Sequence, residues 1–127
     1  VFNYGQCQSL NIYQQLKNGS RCLDIRLCKY KNELWCAHGA FNTIKFYKII
    51  LQCIRFINEY PSEVFILRCK QEEPWKNKKD NPIQYEHVYK LIRQYGLDKY
   101  LVPVNKKDVL KLTINQLSRK NWNCVLI

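Results

Sequence analysis

Three short apolar runs in this sequence carry charge or polarity where a buried strand ordinarily carries none. In SRCLDIRLCKYKNELWCAHGA, Asp24 and Arg26 stand two apart in the first run, and the second run ends on His38-Gly39. The third, VFILRCK, holds Arg68 and Lys70, again two apart. Side chains alternate across a strand, so residues two apart share a face. In the first run Leu23, Ile25 and Leu27 therefore take one face, and Cys22, Asp24, Arg26 and Cys28 the other. By the same alternation His38 goes with Cys36, and Arg68 and Lys70 go with Ile66. Taken singly, an Asp–Arg pair on a strand is a structural ion pair, a histidine at a strand end is satisfied by a carbonyl, and a terminal lysine reaches solvent. Together, Asp24, Arg26, His38 and Lys70 at one sheet edge, three cationic or protonatable groups and one carboxylate, suit a phosphate diester. Its transition state gathers negative charge on the non-bridging oxygens.

The elements that position these residues follow from the local pattern. Residues 10–17 suit a helix stopped by Asn18-Gly19 as a left-handed cap. Residues 21–28 and 34–38 read as strands joined by a polar turn. From Asn42, the recurrence of Ile44, Tyr47, Ile50 or Leu51, Ile54 and Ile57 predicts a helix that ends at Pro61. Residues 63–70 form the third strand, followed by a polar, basic loop over residues 71–81 that holds Trp75. Asn81-Pro82 reads as a cap with proline in the first turn, opening a helix with the stripe Tyr85, Val88, Tyr89 and Ile92 that ends at Gly96. Thr113 caps a short helix, and residues 123–127 make a last strand. His87 is expected to be structural. Strands alternating with helices predict a parallel α/β fold, with Asp24, Arg26, His38 and Lys70 near the C-terminal ends of adjacent strands. A (β/α)₈ barrel takes roughly 250 residues, so a chain of this length supplies about half of one.

Composition narrows the partners. The net charge of +11 over 127 residues favours an anionic partner, although a solubilising surface accounts for the charge equally well. No nucleic-acid-binding motif accompanies the charge, and most aromatics fall on buried stripes, so no nucleic acid is expected. The seven cysteines include no CxxC pair, which argues against zinc, and most lie in apolar runs as small hydrophobes. Reduced cysteines suit an intracellular setting. No run of about 18 apolar residues exists to cross a membrane. The chain contains no methionine, so the expectation is a processed chain or part of a longer polypeptide.

The motifs also carry a family resemblance. QLKNGSRCLDIRL followed by LWCAHGAF resembles the X region of phosphatidylinositol-specific phospholipases C, in which a strand of the form L-D-x-R precedes one ending in His-Gly. YPSEVFILRCK is similar to the turn and strand that follow there, and LTINQLSRKNWNCVLI to the segment before the next barrel strand. The resemblance implies a TIM-type barrel of the phospholipase-C-like phosphodiesterase fold. Residues 1–127 would form a single partial X-like domain, missing the first strand and the C-terminal part of the barrel. It implies attack of the inositol 2-hydroxyl on phosphorus, release of diacylglycerol and formation of a cyclic 1,2-phosphate, with opening of the ring by water left open. His38 matches the general acid, Arg26 the phosphate-binding arginine and Asp24 the acidic residue of the same strand. Arg68 and Lys70 are expected to bind substrate. Calcium-dependent members carry acidic ligands where this chain has Arg26 and Lys70, so no metal and no cofactor are expected. The implied partners are an inositol phospholipid or another anionic phosphodiester, an anionic membrane surface that the Trp75 loop would meet, and missing barrel segments from the same or another chain. The competing reading is a non-catalytic barrel module for lipid or protein binding that lacks the first catalytic histidine. A glycerophosphodiester phosphodiesterase is the nearest competing enzyme, but it calls for a glutamate-rich metal site that the sequence does not offer.

Overall fold

Alternation in the first strand, β1 (Cys22–Tyr30), decides which way the sheet faces. Leu23, Ile25 and Leu27 are buried, while Asp24 is exposed and Arg26 half-buried. The structure, a computed structural model, describes residues 11–38, 41–71, 82–103 and 107–127. Within them a five-stranded sheet has the order β3-β2-β1-β4-β5, with β2 at Glu33–His38, β3 at Phe41–Lys45, β4 at Phe65–Gln71 and β5 at Cys124–Leu126. β4 repeats the alternation, with Phe65 and Leu67 buried and Arg68 and Lys70 exposed. One face thus packs apolar side chains, and the other carries the charges.

Helices supply the rest of the core. α2 (Phe46–Glu59) buries Phe46, Ile49, Ile50, Cys53, Phe56 and Ile57, which lie three or four apart and so form one stripe. α1 (Ile12–Lys17) packs Tyr13 and Leu16 into the same core. α3 (Tyr85–Tyr95) adds Val88 and Ile92. Caps fix where these helices stop and start. Asn11 and Gln14 form a capping box on α1, as do Thr113 and Gln116 on α4 (Ile114–Arg119), each satisfying backbone N–H groups that the first turn leaves unpaired. Gly19 at φ 108° and Gly96 at φ 90° supply the left-handed turns expected after α1 and α3.

Three local expectations are corrected. First, the second strand does not run parallel to the first. β1 and β2 form an antiparallel hairpin from Tyr30–Glu33 to Leu27–Cys36. The two-residue turn Lys31-Asn32 has φ of 50° and 61°, the doubly left-handed conformation that matches strand twist in a tight hairpin. Second, the segment from Phe41 to Lys45 is a strand and not the start of a helix. The buried stripe of α2 is accordingly rotated from the predicted one, leaving Leu51 45% exposed. Third, α3 begins after Gln84 rather than at Pro82, and its Tyr85 is 64% exposed. The predicted cap Asn81 and the loop with Trp75 lie outside the described residues.

The hydrogen bonds around Asn123 explain the PSE turn and the NWNC segment. The Asn123 side chain is buried, and its Nδ2 donates to the carbonyls of Pro61 at 2.9 Å and Glu63 at 2.8 Å. The Asn123 carbonyl accepts from the Phe65 N–H at 2.9 Å. One amide therefore fixes the turn that launches β4 and the start of β5. Arg21 makes the matching tie on the other side. Its Nη1 donates to the carbonyls of Leu16 at 2.6 Å and Ser20 at 2.8 Å, its Nε reaches Glu63 at 3.4 Å, and its guanidinium lies 5.1 Å from the Phe56 ring centre.

Candidate active site

The parallel pairing of β1 with β4 assembles the charged face. Asp24 lies opposite Arg68, and Arg26 opposite Lys70. Directly paired residues share a face, so these four side chains form a two-by-two array on the side of the sheet away from α2. Arg26 Nη2 donates to Asp24 Oδ2 at 3.2 Å. This pair is open to solvent, with side-chain exposures of 36% for Arg26 and 44% for Asp24, so its contribution to stability is small. Among the described residues neither the Arg68 nor the Lys70 side chain makes an ion pair or hydrogen bond. The array therefore presents three cations against one carboxylate.

Above this array, toward the C-terminal end of β1, Trp35 pairs with Cys28 and with Lys45 on β3. Cys28 follows Arg26 on the same face, so this row continues the array upward. Lys45 binds Glu33 at 3.0 Å and lies 5.5 Å from the Trp35 ring centre. Its ammonium pKa is raised, first by the hydrogen bond to Glu33 and then by that residue's charge. Lys45 is thus held in a local pair rather than free for a ligand.

His38 ends β2, with its backbone paired to Phe41, and its side chain is not among those described. The antiparallel hairpin brings β2 back along β1. His38, two residues past the Leu27–Cys36 pair, therefore lies level with the middle of β1 and not beyond its C-terminal end. Cys36 pairs with Leu27 and packs against the helix-covered core, so it does not share the Asp24 face as parity in a parallel arrangement predicts. A register shift between Cys36 and Ala37 in the β2–β3 pairing separates Cys36 from His38.

Other titratable groups lie away from the array. Burial pushes the Cys69 thiol up to about 12, with Cys36 and Asp24 adding to the effect. Burial also raises Cys53 and Cys124, so these thiols stay protonated and act as packing groups. His87, on α3, has its pKa lowered by burial and then by the charges of Lys29 and Lys90. Among the described residues no cluster of His, Cys, Asp or Glu could hold a metal ion, and a guanidinium and an ammonium group do not ligate calcium. The array does not fit a metal.

A family model described as the X domain of phosphatidylinositol-specific phospholipase C matches residues 3–120. The chain belongs to this family. No curated protein matches it. Solved structures of the phosphatidylinositol-specific phospholipase C of Staphylococcus aureus are similar. A point mutant of that enzyme matches with TM-score 0.57 and 20% identity over 94% of this chain and 38% of its own. A second structure, concerned with modulation of that enzyme's membrane binding, matches with TM-score 0.58 and 18% identity over 99% of this chain and 42% of its own. At that identity the likeness is one of fold. The X-domain chain thus has the α/β architecture of part of a TIM-type barrel and spans about two fifths of the length of these enzymes. The partial-barrel expectation is met, although the hairpin of β2 and β3 is antiparallel where a regular barrel would have parallel strands. Arg21, Glu63 and Asn123 were given no role from the sequence. Their place inside the family's motifs was the available signal, and the structure shows them holding β1, β4 and β5 in register.

Proposed function

We propose that the chain supplies the phosphate-binding half of an inositol-phospholipid phosphodiesterase. The observation that carries this is the array of Asp24, Arg26, Arg68 and Lys70 on one face of β1 and β4 in an X-domain chain. A guanidinium offers planar paired donors that match two phosphate oxygens, so Arg26 grips the non-bridging oxygens as charge builds on them. Lys70, opposite it, adds a second fixed positive charge, and Arg68 a third beside Asp24. Asp24 orients Arg26 through their hydrogen bond. The inositol 2-hydroxyl attacks phosphorus, the bond to the diacylglycerol oxygen breaks, and His38 protonates that leaving oxygen. Fixed cations take the role that calcium has in other members, so the reaction needs no metal. The chain has two histidines, and His87 belongs to α3 on the helix-covered side. The base that removes the 2-hydroxyl proton therefore comes from residues outside these 127, on further strands that complete the barrel. An anionic bilayer presents the substrate. The reading of a non-catalytic barrel module predicts binding without turnover.

The test uses the protein with its barrel complete. His38→Ala should slow cleavage of phosphatidylinositol by roughly 10²–10⁴-fold, the range for loss of a general acid. Arg26→Lys should also be costly, because an ammonium cannot make the planar two-donor contact. An inositol phosphodiester with a much better leaving group should rescue the His38 variant and not the Arg26 variant. Equal rescue of both would refute the assigned roles, and loss of activity on calcium chelation would refute the metal-free site.

A further inference from the structure

Of the four charged side chains on β1 and β4, Arg68 has the most one-sided surroundings. On its own strand the residues two away, Lys70 toward the C-terminal end and Ile66 toward the N-terminal end, share its face. On the β5 side that face carries Val125, paired with Ile66, and then Ile127, whose carbonyl accepts from the Cys69 N–H at 2.8 Å. On the β1 side Arg68 stands directly opposite Asp24, one strand spacing of about 4.8 Å away. The neighbouring rows are Arg26 opposite Lys70 and Cys22 opposite Ile66. Among the described residues of this face, Asp24 is thus the one carboxylate that borders Arg68.

Asp24 has room for a second cation. Arg26 Nη2 reaches its Oδ2 at 3.2 Å, longer than the roughly 2.7–2.9 Å of a well-made charged hydrogen bond. Its Oδ1 has no partner among the described residues. A carboxylate held through one oxygen turns easily about its last torsion, and the guanidinium it orients is correspondingly loose. A cation on Oδ1 would fix the carboxylate plane and leave the other donors of Arg26 free for a ligand.

Depth separates the two rows. Barrel sites open at the C-terminal ends of the strands, so a phosphate meets Arg26 and Lys70 first. Asp24 and Arg68 lie one same-face step behind them, on the order of 7 Å. Asp24 is now 44% exposed and Arg68 is exposed, so both are hydrated. Further strands that close over this face would remove that water. A charge left unpaired in such an interior is strongly destabilising, whereas a paired one is tolerated.

We propose that Arg68 is a positioning residue whose guanidinium takes Asp24 Oδ1, so that Arg26, Asp24 and Arg68 form a fixed triad aiming Arg26 at the phosphate. Arg68 adds its charge to the site, but its contact is with Asp24 and not with the substrate. What Arg26 is aimed at rests on the phosphodiesterase reading.

The experiment combines Arg68→Gln and Asp24→Asn, singly and together, in the protein with its barrel complete, and follows steady-state cleavage of phosphatidylinositol. Arg68→Gln should lower kcat on the order of tenfold while KM changes less than about twofold, the pattern of an interaction realised in the transition state. In the Asp24→Asn background the same substitution should change kcat less than about twofold, because no carboxylate charge remains to be held. Arg68→Lys keeps a cation beside Asp24 and should recover most of the rate lost in Arg68→Gln, in contrast to the costly Arg26→Lys. Urea midpoints verify that each variant is folded. A rise in KM of equal size in both backgrounds would place Arg68 on the substrate itself and overturn the proposal, as would an unchanged kcat in Arg68→Gln. Absence of turnover by the complete wild-type protein would overturn the phosphodiesterase reading, and the triad's role with it. Wild-type turnover with additive losses in the double variant would overturn the triad alone.

Discussion

Asn123 joins two segments that are far apart in sequence, and its worth follows from what its loss would strand. Replacing it with alanine leaves the Pro61 and Glu63 carbonyls without the donor they have now. Pro61 is exposed and Glu63 half-buried, so the unpaired acceptors cost toward the lower end of about 1–3 kcal/mol, and Asn123→Ala should destabilise the protein by roughly 1–2 kcal/mol, read as a lower urea midpoint. A loss below about 0.5 kcal/mol, the level of a surface change, would mean that the turn is held by something else. Glu59 gives a pH-dependent counterpart. Its carboxylate pKa is lowered, first by the hydrogen bond from the Tyr13 hydroxyl and then by Arg55, which binds it at 3.3 Å. A folded-state pKa below the unfolded value, near 4.3 for glutamate, adds stability above that value and loses it as pH falls through the folded pKa. Glu59→Gln should therefore flatten the decline in stability between neutral pH and about pH 3, and an unchanged slope would count against it. At this scale the charged residues were readable because charge inside an apolar run stands out. Asn123 and Arg21 were not, since nothing local shows that a polar residue will be buried against distant carbonyls.

The hairpin of β1 and β2 is the element on which the position of His38 depends, and its turn is not an ideal one. Lys31 and Asn32 both have positive φ, a conformation that costs an ordinary residue about 1–2 kcal/mol and that asparagine tolerates better. A β-branched residue there is worse still. Asn32→Val should lower stability by roughly 1–2 kcal/mol, while Lys31→Asn with Asn32→Gly should raise it by several tenths to about 1 kcal/mol. Denaturant midpoints at constant m would check both. If Asn32→Val were neutral, the tight turn would not be the one formed in solution. The same turn explains what the sequence left hidden. Strands 1, 2 and 4 were legible from their composition, and the caps at Asn18-Gly19, Gly96 and Thr113 from single residues. Strand direction was not, because it depends on the φ of two turn residues that carry no glycine to announce it. β3 was hidden for another reason. Its Ile44 fits the helical period of the residues that follow, and only pairing with β2 draws it into the sheet.

At the scale of the molecule, the sheet formed by the described residues is open on its charged face and along part of one edge. β1 pairs with β4 from Cys22 to Leu27, but with β2 only from Leu27 to Tyr30. Among the described residues the stretch Cys22–Arg26 thus has a strand on one side only, beside the Asp24–Arg26 pair. β5 carries a single parallel bridge, Leu101–Cys124, on its outer edge. Unpaired strand edges invite further pairing, and closure of a barrel removes them. If a further strand lies along Cys22–Arg26 and brings the base that the mechanism requires, that stretch should report it. In parallel pairing successive amides point to opposite neighbours, so alternate N–H groups between Cys22 and Arg26 have no strand among the described residues to bond on the open side. These should exchange with deuterated water quickly in the 127 residues expressed alone. In a longer chain that supplies the strand they should exchange slowly, and phosphatidylinositol turnover should appear only there. Amides facing β4 should be protected in both. Equal protection of all these amides in the short chain would show that the edge is already covered, and turnover by the short chain would require a base among its own residues.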